Sequence, residues 1–190
     1  MGSAHKFNGP KGVGFLYVKE GTEIAPLIDG GSQERGLVAG TENVPGIVGM
    51  ATALKQATDS LPETARKLQT LETILLSTLE ANGVPFERNG APPFLPGLLS
   101  LAFPGADAEA LLHRLDLAGV QISTGSACDG QSKQISRVLR AVKLPKSLAQ
   151  GTIRISLGKY NSEQEAKSIA NAITKALAPI RKPSPGANRH

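Results

Sequence analysis

Short apolar runs alternate with segments of helical periodicity along most of this chain, and Gly and Pro residues separate them. Leu68, Leu71 and Leu75 mark one helical segment, because they recur every three or four residues. Strands that alternate with helices predict an α/β fold. The predicted strands cover residues 13–18, 84–87, 98–103, 119–122 and 152–157. The predicted helices cover residues 44–58, 108–117 and 134–142, together with one that starts within 60–63 and ends near 81 and a last one that follows Ser162.

The helical pattern breaks at residues 60–62, and this break is the predicted domain boundary. A chain of 190 residues is long enough for one domain with a sizeable core, or for one domain plus part of another. Residues 1–60 therefore form one predicted part, and residues 61–178 form a second, α/β part. Residues 179–190 read PIRKPSPGANRH, which predicts a disordered basic tail.

The positive charge is concentrated at the C-terminus. The net charge is +5, and residues 179–190 contribute three Lys and Arg residues and no acid. Aromatic residues make up 4% of the chain and do not interleave with a basic face, so we do not expect nucleic-acid binding. The sequence has no apolar run of about 18 residues and no apolar signal-peptide core near its start, so the expectation is a cytoplasmic protein without a membrane partner.

A His-Lys pair lies in a Gly- and Pro-rich turn near the start of the chain, where residues 3–14 read SAHKFNGPKGVG. Such a turn can hold the Lys6 amine near a ligand, since glycines let the backbone approach closely. An amine held in this way can serve in covalent catalysis. An isolated lysine near a terminus is more often simply solvated, and the residues alone leave both interpretations open.

The segment 30–49 reads GGSQERGLVAGTENVPGIVG and leads into a predicted helix. It can be a surface loop and a helix start. Its glycines and hydroxyl groups also suit a phosphate, which binds well at backbone amides and helix N-termini.

Two further motifs follow in the second half of the chain. Cys128 lies in the small-residue loop STGSACDG, ahead of a helix that carries cations, a setting that lowers a thiol pKa, although Asp129 opposes this effect. A merely exposed thiol is an equal alternative. Arg154 lies within the apolar strand TIRISLG, where it needs a partner, either a structural carboxylate or a ligand carboxylate.

The four motifs, in this order, resemble those of cysteine desulfurases, which belong to the aminotransferase class V family of fold-type I pyridoxal phosphate enzymes. SxHK with GPKGxG, GGxQERGxRSGTENVxGIVG, (S/T)GSAC and (I/V)R(I/L)SLG are the matching segments. This chain departs from them at Val38-Ala39, where the family has a basic residue before a small one. It departs again at Asp129-Gly130, which replaces a serine-rich continuation. The resemblance covers about residues 3–177.

The resemblance implies the C-terminal portion of this fold. Residues 1–60 would be the end of the large domain that binds pyridoxal 5'-phosphate, and 61–178 the small C-terminal α/β domain. Lys6 would form the Schiff base with the cofactor, and Ser3 and His5 would lie close to its phosphate. Thr41 would reach the phosphate of the cofactor in the other subunit of a homodimer. A remnant without the rest of its sheet is expected to expose apolar surface.

The resemblance also implies the reaction. Arg154 would hold the α-carboxylate of L-cysteine, and Cys128 would attack the substrate sulfur, giving alanine and a persulfide. The sulfur would pass to an iron–sulfur scaffold or a sulfur-carrier protein. A single cysteine excludes a multi-cysteine metal site made by this chain alone, although Cys128 can act as a transient iron–sulfur ligand with a scaffold. The alternatives are a non-catalytic binding module for a scaffold or desulfurase partner, and another class V enzyme such as a selenocysteine lyase.

Overall fold

The computed structural model describes residues 1–124 and 136–178. These residues divide into two compact units. The N-terminal unit is Met1–Pro62, and the C-terminal unit begins at Glu63. The predicted tail 179–190 and most of the predicted loop 123–133 lie outside the described residues.

The N-terminal unit opens with a very short hairpin. Strand β1 (Gly2–Ser3) pairs antiparallel with β2 (Gly14–Phe15), and a 3-10 helix (Ala4–Phe7) lies between them. An irregular helical turn, α1 (Gln33–Gly36), precedes the long helix α2 (Val44–Asp59). The predicted strand 13–18 is therefore too long, because β1 offers only two residues to pair with.

The C-terminal unit contains a four-stranded sheet and its helices. Its elements are α3 (Leu61–Ala81, which starts at the unit boundary), β3 (Glu87–Arg88), β4 (Leu98–Ala102), α4 (Ala108–Leu117), β5 (Ser123–Thr124), α5 (Arg137–Ala141), α6 (Lys146–Ala149), β6 (Thr152–Ser156) and α7 (Glu163–Leu177). The strand order is β3-β4-β6-β5, and every neighbouring pair is antiparallel.

The two faces of this sheet differ in polarity, because successive side chains of a strand point to opposite faces. Leu99, Leu101, Ile153 and Ile155 lie on the inner face and are buried. They form one core with apolar residues of α3, α4 and α7. We call the opposite side the outer face, and it carries Arg154.

Capping residues explain where two of the helices start. Asp107 caps α4, where its Oδ1 accepts hydrogen bonds from the backbone N–H groups of Glu109 (2.9 Å) and Ala110 (3.1 Å). Ser162 and Glu165 form a capping box at the start of α7, each accepting from the other's backbone N–H. Such side chains replace the partners that the first N–H groups of a helix lack.

The predicted strand 119–122 is wrong by position. Gly119 has a left-handed φ of 77°, and Val120 N–H donates to the Leu115 carbonyl over 2.8 Å, so these residues complete the end of α4. The strand forms later, at Ser123–Thr124. The predicted helix 134–142 is shorter in its described part and spans Arg137–Ala141, since Ser136 caps it by accepting from Val138 N–H.

The short helix α6 has no counterpart among the predicted elements. Across the two described ranges, no helix combines the length and the apolar character needed to cross a membrane.

Candidate functional site

Backbone hydrogen bonds hold the turn that carries Lys6. Ala4 is fully buried, its N–H donates to the Val13 carbonyl over 3.0 Å, and its own carbonyl accepts from Gly9 N–H over 2.8 Å. Asn8 ends the 3-10 helix with a left-handed φ of 66°. The Lys6 side chain therefore projects from a turn whose backbone is fixed on both sides.

Three predicted site residues share this turn, and all of them are exposed. Ser3, His5 and Lys6 lie within four consecutive positions. Within the two described ranges, none of the three side chains makes a hydrogen bond or an ion pair. Their hydroxyl, imidazole and amine groups are thus available to a ligand, as the resemblance requires.

Helix α2 supports the turn from one side. Pro10 packs directly on Gly49 of α2, and a Cβ atom at position 49 would lie 2.7 Å from the Pro10 Cγ. The glycine is needed for this close approach. The GPKG and GIVG segments, which are about forty residues apart in the sequence, therefore meet in the N-terminal unit.

Thr41 lies just before α2, on the segment that leads from α1. Asn43 caps the helix by accepting from Gly46 N–H over 3.1 Å, and Gly40 N–H donates to Gln33 Oε1 over 3.3 Å. The Thr41 side chain is exposed, and no hydrogen bond joins it to the Lys6 turn in the described part of the chain. The Val38 departure lies in an isolated bridge with Ile28.

The predicted nucleophile Cys128 and the departure Asp129-Gly130 lie outside the described residues. The last described residues before them are Ser123 and Thr124, which form β5. Cys128 therefore stays a prediction from sequence.

Arg154 lies in the middle of β6 on the outer face of the sheet and is exposed, while its neighbours Ile153 and Ile155 are buried. The predicted cost of an arginine in an apolar strand does not arise, since the alternation of the strand turns the guanidinium to the open face. In residues 1–124 and 136–178, no carboxylate lies within ion-pair distance of it. The alternative of a structural carboxylate partner thus finds no support there.

A neutral side chain contacts Arg154 instead. Its Nη2 donates a hydrogen bond to the Ser123 Oγ over 3.1 Å. Ser123 of β5 and Ser100 of β4 are the residues directly opposite Arg154 on its two neighbouring strands. Sequence reasoning missed Ser123, and the only local signal was its polarity next to an apolar run.

A buried acidic residue was also missed, and it supports the strand that contains Ser100. Glu72 of α3 accepts hydrogen bonds from Gly97 N–H (2.6 Å) and from the Arg88 Nη2 (3.2 Å). The Arg88 guanidinium lies 3.8 Å from the centre of the Phe94 ring. These contacts fix the segment that enters β4. The available signal in the sequence was the helical spacing between Leu68 and Glu72, which places both residues on the same face of α3.

Lys6, Ser3, His5 and Thr41 belong to the N-terminal unit, and Arg154 belongs to the C-terminal unit.

Comparison with known families identifies the family of this chain. The aminotransferase class-V family model matches residues 1–169. This chain belongs to the aminotransferase class V family. The resemblance to this family, predicted from the four motifs, is confirmed.

Individual relatives of this class V chain agree with the family match. A Clostridium botulinum protein named cysteine desulfurase IscS is 42% identical over 186 residues, which cover 96% of this chain and 47% of that protein. A Dictyoglomus turgidum protein of the same name is 40% identical over 184 residues, again with 96% and 47% coverage. The chain thus spans about half the length of the curated relatives it matches. That this half is the C-terminal one stays a prediction from the motifs.

The fold of this class V chain agrees with a solved structure as well. A structure described as a NifS-like protein has a TM-score of 0.79 and 41% identity, and the match covers 93% of this chain and 45% of that chain. The predicted α/β class, as a part of the pyridoxal phosphate-dependent transferase fold, is therefore confirmed.

The donor groups of the N-terminal unit are compatible with pyridoxal 5'-phosphate. A primary amine can bond to its aldehyde, and a serine hydroxyl and an imidazole N–H can donate to its phosphate. Lys6, Ser3 and His5 carry these groups on one fixed turn, and their side chains have no hydrogen bonds to give up among the described residues.

Proposed function

We propose that this chain carries the cofactor lysine, the sulfur-accepting cysteine and the substrate arginine of a cysteine desulfurase. The observation that carries the proposal is Arg154, an exposed guanidinium in the centre of a sheet face that offers it no carboxylate in the described ranges. Support comes from relatives named cysteine desulfurase. A further solved structure is described as SspA in complex with cysteine and has a TM-score of 0.61 and 33% identity.

Lys6 and its neighbours would hold pyridoxal 5'-phosphate. Once bound, the cofactor supplies an electron sink for the carbon atoms of an amino-acid substrate. The Lys6 amine would hold the cofactor and move a proton at the substrate α-carbon. Ser3 and His5 would donate hydrogen bonds to the phosphate, and Thr41 would do so for the other subunit of a homodimer.

Arg154 would bind the α-carboxylate of L-cysteine. A guanidinium offers five N–H donors in a planar fork that matches the two oxygens of a carboxylate. The Ser123 hydroxyl contacts Nη2 only, so other donors of the fork remain for the substrate. An exposed arginine on a strand backbone presents this fork without the cost of burying a charge.

Cys128 would remove the sulfur. Its thiolate attacks the substrate sulfur, an S–S bond forms, and the C–S bond breaks with its electron pair left on the carbon side. That carbon takes up a proton, and the resulting amino acid is released as alanine. The persulfide sulfur on Cys128 would then pass to an iron–sulfur scaffold or a sulfur-carrier protein in the cytoplasm.

A chimeric enzyme tests this proposal. This chain would replace the matching 186-residue segment of the Clostridium botulinum relative, and alanine formed from L-cysteine would be measured with pyridoxal 5'-phosphate present. We expect turnover by the chimera and its loss in Cys128→Ala. Equal alanine release without Cys128 contradicts the sulfur-transfer role. A marked preference for selenocysteine over cysteine would favour the selenocysteine lyase alternative.

One observation favours a second function. The C-terminal unit has its own core of buried residues from α3, α4, α7 and the sheet, so it can persist as a folded binding module for a scaffold or desulfurase partner. Retention of a scaffold protein by a chain that shows no absorbance change with pyridoxal 5'-phosphate would support this reading. Cofactor uptake onto Lys6 would argue against it.

A further inference from the structure

Two serine side chains and one arginine side chain form a row across the outer face of the C-terminal sheet. Ser100 of β4, Arg154 of β6 and Ser123 of β5 are in register, each directly opposite the next. We propose that Ser123 is a positioning residue, which orients the Arg154 guanidinium toward a ligand carboxylate. This inference rests on the proposed function, since it specifies how Arg154 is prepared for its substrate.

The contacts of the row are asymmetric. Arg154 Nη2 donates to the Ser123 Oγ over 3.1 Å. On the other side, the Ser100 Oγ accepts from the Asn89 Nδ2 over 3.1 Å, and the same amide nitrogen lies 3.4 Å from the Thr152 Oγ1. The Ser100 hydroxyl is thus hydrogen-bonded to Asn89, which directly follows β3. Ser123 is the hydroxyl that contacts the guanidinium, so the arginine is held from the β5 side.

The chemistry of a serine suits this task better than that of an acid. A carboxylate at position 123 would form an ion pair with Arg154 and compete with a ligand carboxylate for the same charge. A hydroxyl accepts one hydrogen bond and leaves the positive charge uncompensated. It therefore restricts the orientation of the guanidinium without neutralising it.

This arrangement lowers the entropic cost of ligand binding. A free arginine side chain populates many rotamers. A ligand that binds only one of them must offset the lost conformational entropy, and this weakens its affinity. A hydrogen bond already present on the strand removes part of that loss before the ligand arrives. The effect belongs to substrate binding, so it changes KM and leaves kcat nearly constant.

The first test uses the chimeric enzyme with L-cysteine. We expect Ser123→Ala to raise KM about fivefold to tenfold with kcat within about twofold. Ser123→Thr keeps the hydroxyl and should restore KM. Ser123→Asp should raise KM by more than about a hundredfold, because it pairs with Arg154.

Ser156→Ala is the matched control. Ser156 lies on the same outer face of β6, two residues from Arg154, and makes no side-chain hydrogen bond among the described residues. Its removal should leave KM unchanged. Equal effects of Ser123→Ala and Ser156→Ala, or no effect of either, overturn the inference.

A second readout on the 190-residue chain separates this inference from the proposed function. With ¹⁵N-labelled arginine, the Arg154 side-chain NMR signals, assigned through Arg154→Lys, report how fast the guanidinium rotates. We expect restricted rotation that becomes fast in Ser123→Ala and is restored in Ser123→Thr. Unchanged rotation in Ser123→Ala overturns the positioning role, even if the chimera is active. Restricted rotation in an inactive chimera contradicts the proposed function alone.

Discussion

The two units differ sharply in how much of their apolar surface they bury. In Met1–Pro62, all of which the structure describes, only Ala4, Gly46 and Ala53 are buried. The C-terminal unit buries a continuous core, in which the largest fully buried side chains are Leu71, Leu75, Leu79, Leu99, Leu101, Phe103, Leu111, Leu115, Ile153 and Ile173. Hydrophobic burial is the dominant favourable term in folding. The C-terminal unit therefore buries enough apolar surface to stabilise itself, whereas the N-terminal unit buries very little.

The apolar side chains of the N-terminal unit are instead at its surface. Leu16 is 62% exposed and Tyr17 76%, and on α2 both Val44 and Val48 are 60% exposed. This exposure agrees with the apolar surface that the resemblance implies for residues 1–60. The unit that carries Lys6 and the unit that carries Arg154 are therefore stabilised to unequal extents.

Core truncation gives the largest effect and tests the comparison directly. Leu75 is fully buried, so Leu75→Ala should lower the free energy of unfolding of the C-terminal unit by about 2–5 kcal/mol. Val48→Ala in the N-terminal unit should change stability by less than about 0.5 kcal/mol. Urea titration followed through the amide NMR signals of Ile153 and Ala53 measures each unit. Comparable losses from both substitutions would break the comparison.

Loss of the partly buried ion pair between Arg88 and Glu72 comes next. Glu72→Ala leaves Arg88, whose side chain is 18% exposed, and the Gly97 N–H without their acceptor. We expect about 2–3 kcal/mol of destabilisation in the C-terminal unit. Glu72→Gln, which keeps an acceptor for Gly97, should cost less. The same urea titration measures both, and a larger loss in the glutamine variant would show that the contacts are not the cause.

The helix N-caps sharpen the comparison, because each unit has an asparagine or aspartate N-cap within its described residues. Asp107→Ala at α4 should cost about 1 kcal/mol, which appears in the unfolding of the whole C-terminal unit. Asn43→Ala at α2 removes the one cap hydrogen bond that Asn43 accepts from Gly46 N–H. We expect it to show as faster local hydrogen exchange near the start of α2, with the C-terminal unit unchanged. A fall in the Ile153 protection in Asn43→Ala would contradict this.

The smallest effect concerns acid pH. Hydrogen bonds from the Ser162 backbone N–H and hydroxyl lower the pKa of Glu165 below its ordinary value of 4.5. The ionised carboxylate therefore stabilises α7 at any pH above that ordinary pKa. This contribution to stability is lost as the pH falls through the lowered pKa. Glu165→Gln should flatten the acid side of a plot of Tm against pH. An unchanged acid slope in this variant would count against the capping box as its source.

Much of the helical structure was predictable from local signals. Asp107 and Ser162 marked the starts of α4 and α7, and leucine spacing marked α3, since these signals act within one or two turns of helix. The strand predicted at 119–122 failed because Gly119 favours a helix end, and the apolar run after it gave a misleading strand pattern. Local propensity does not decide such competitions.

The residues of the candidate site were predictable from the sequence, but the contacts between them were not. The motifs around Lys6, Thr41, Cys128 and Arg154 identified candidate residues. The contact between Ser123 and Arg154 was not accessible, because strand register depends on pairing across 31 residues of sequence. The exposed position of Arg154 follows from the alternation of β6, but the absence of a carboxylate near it in the described ranges depends on tertiary packing, which the sequence does not reveal.

We propose that Lys6 is the cofactor lysine and Arg154 the carboxylate-binding arginine of a cysteine desulfurase. Steady-state alanine formation from L-cysteine by the chimera with the Clostridium botulinum relative tests it most directly. We expect Lys6→Ala to lower kcat by more than about a thousandfold, while Lys11→Ala on the same turn keeps it. We expect Arg154→Ala to raise KM by about a hundredfold. Turnover that persists in Lys6→Ala, or an unchanged KM in Arg154→Ala, would contradict the account.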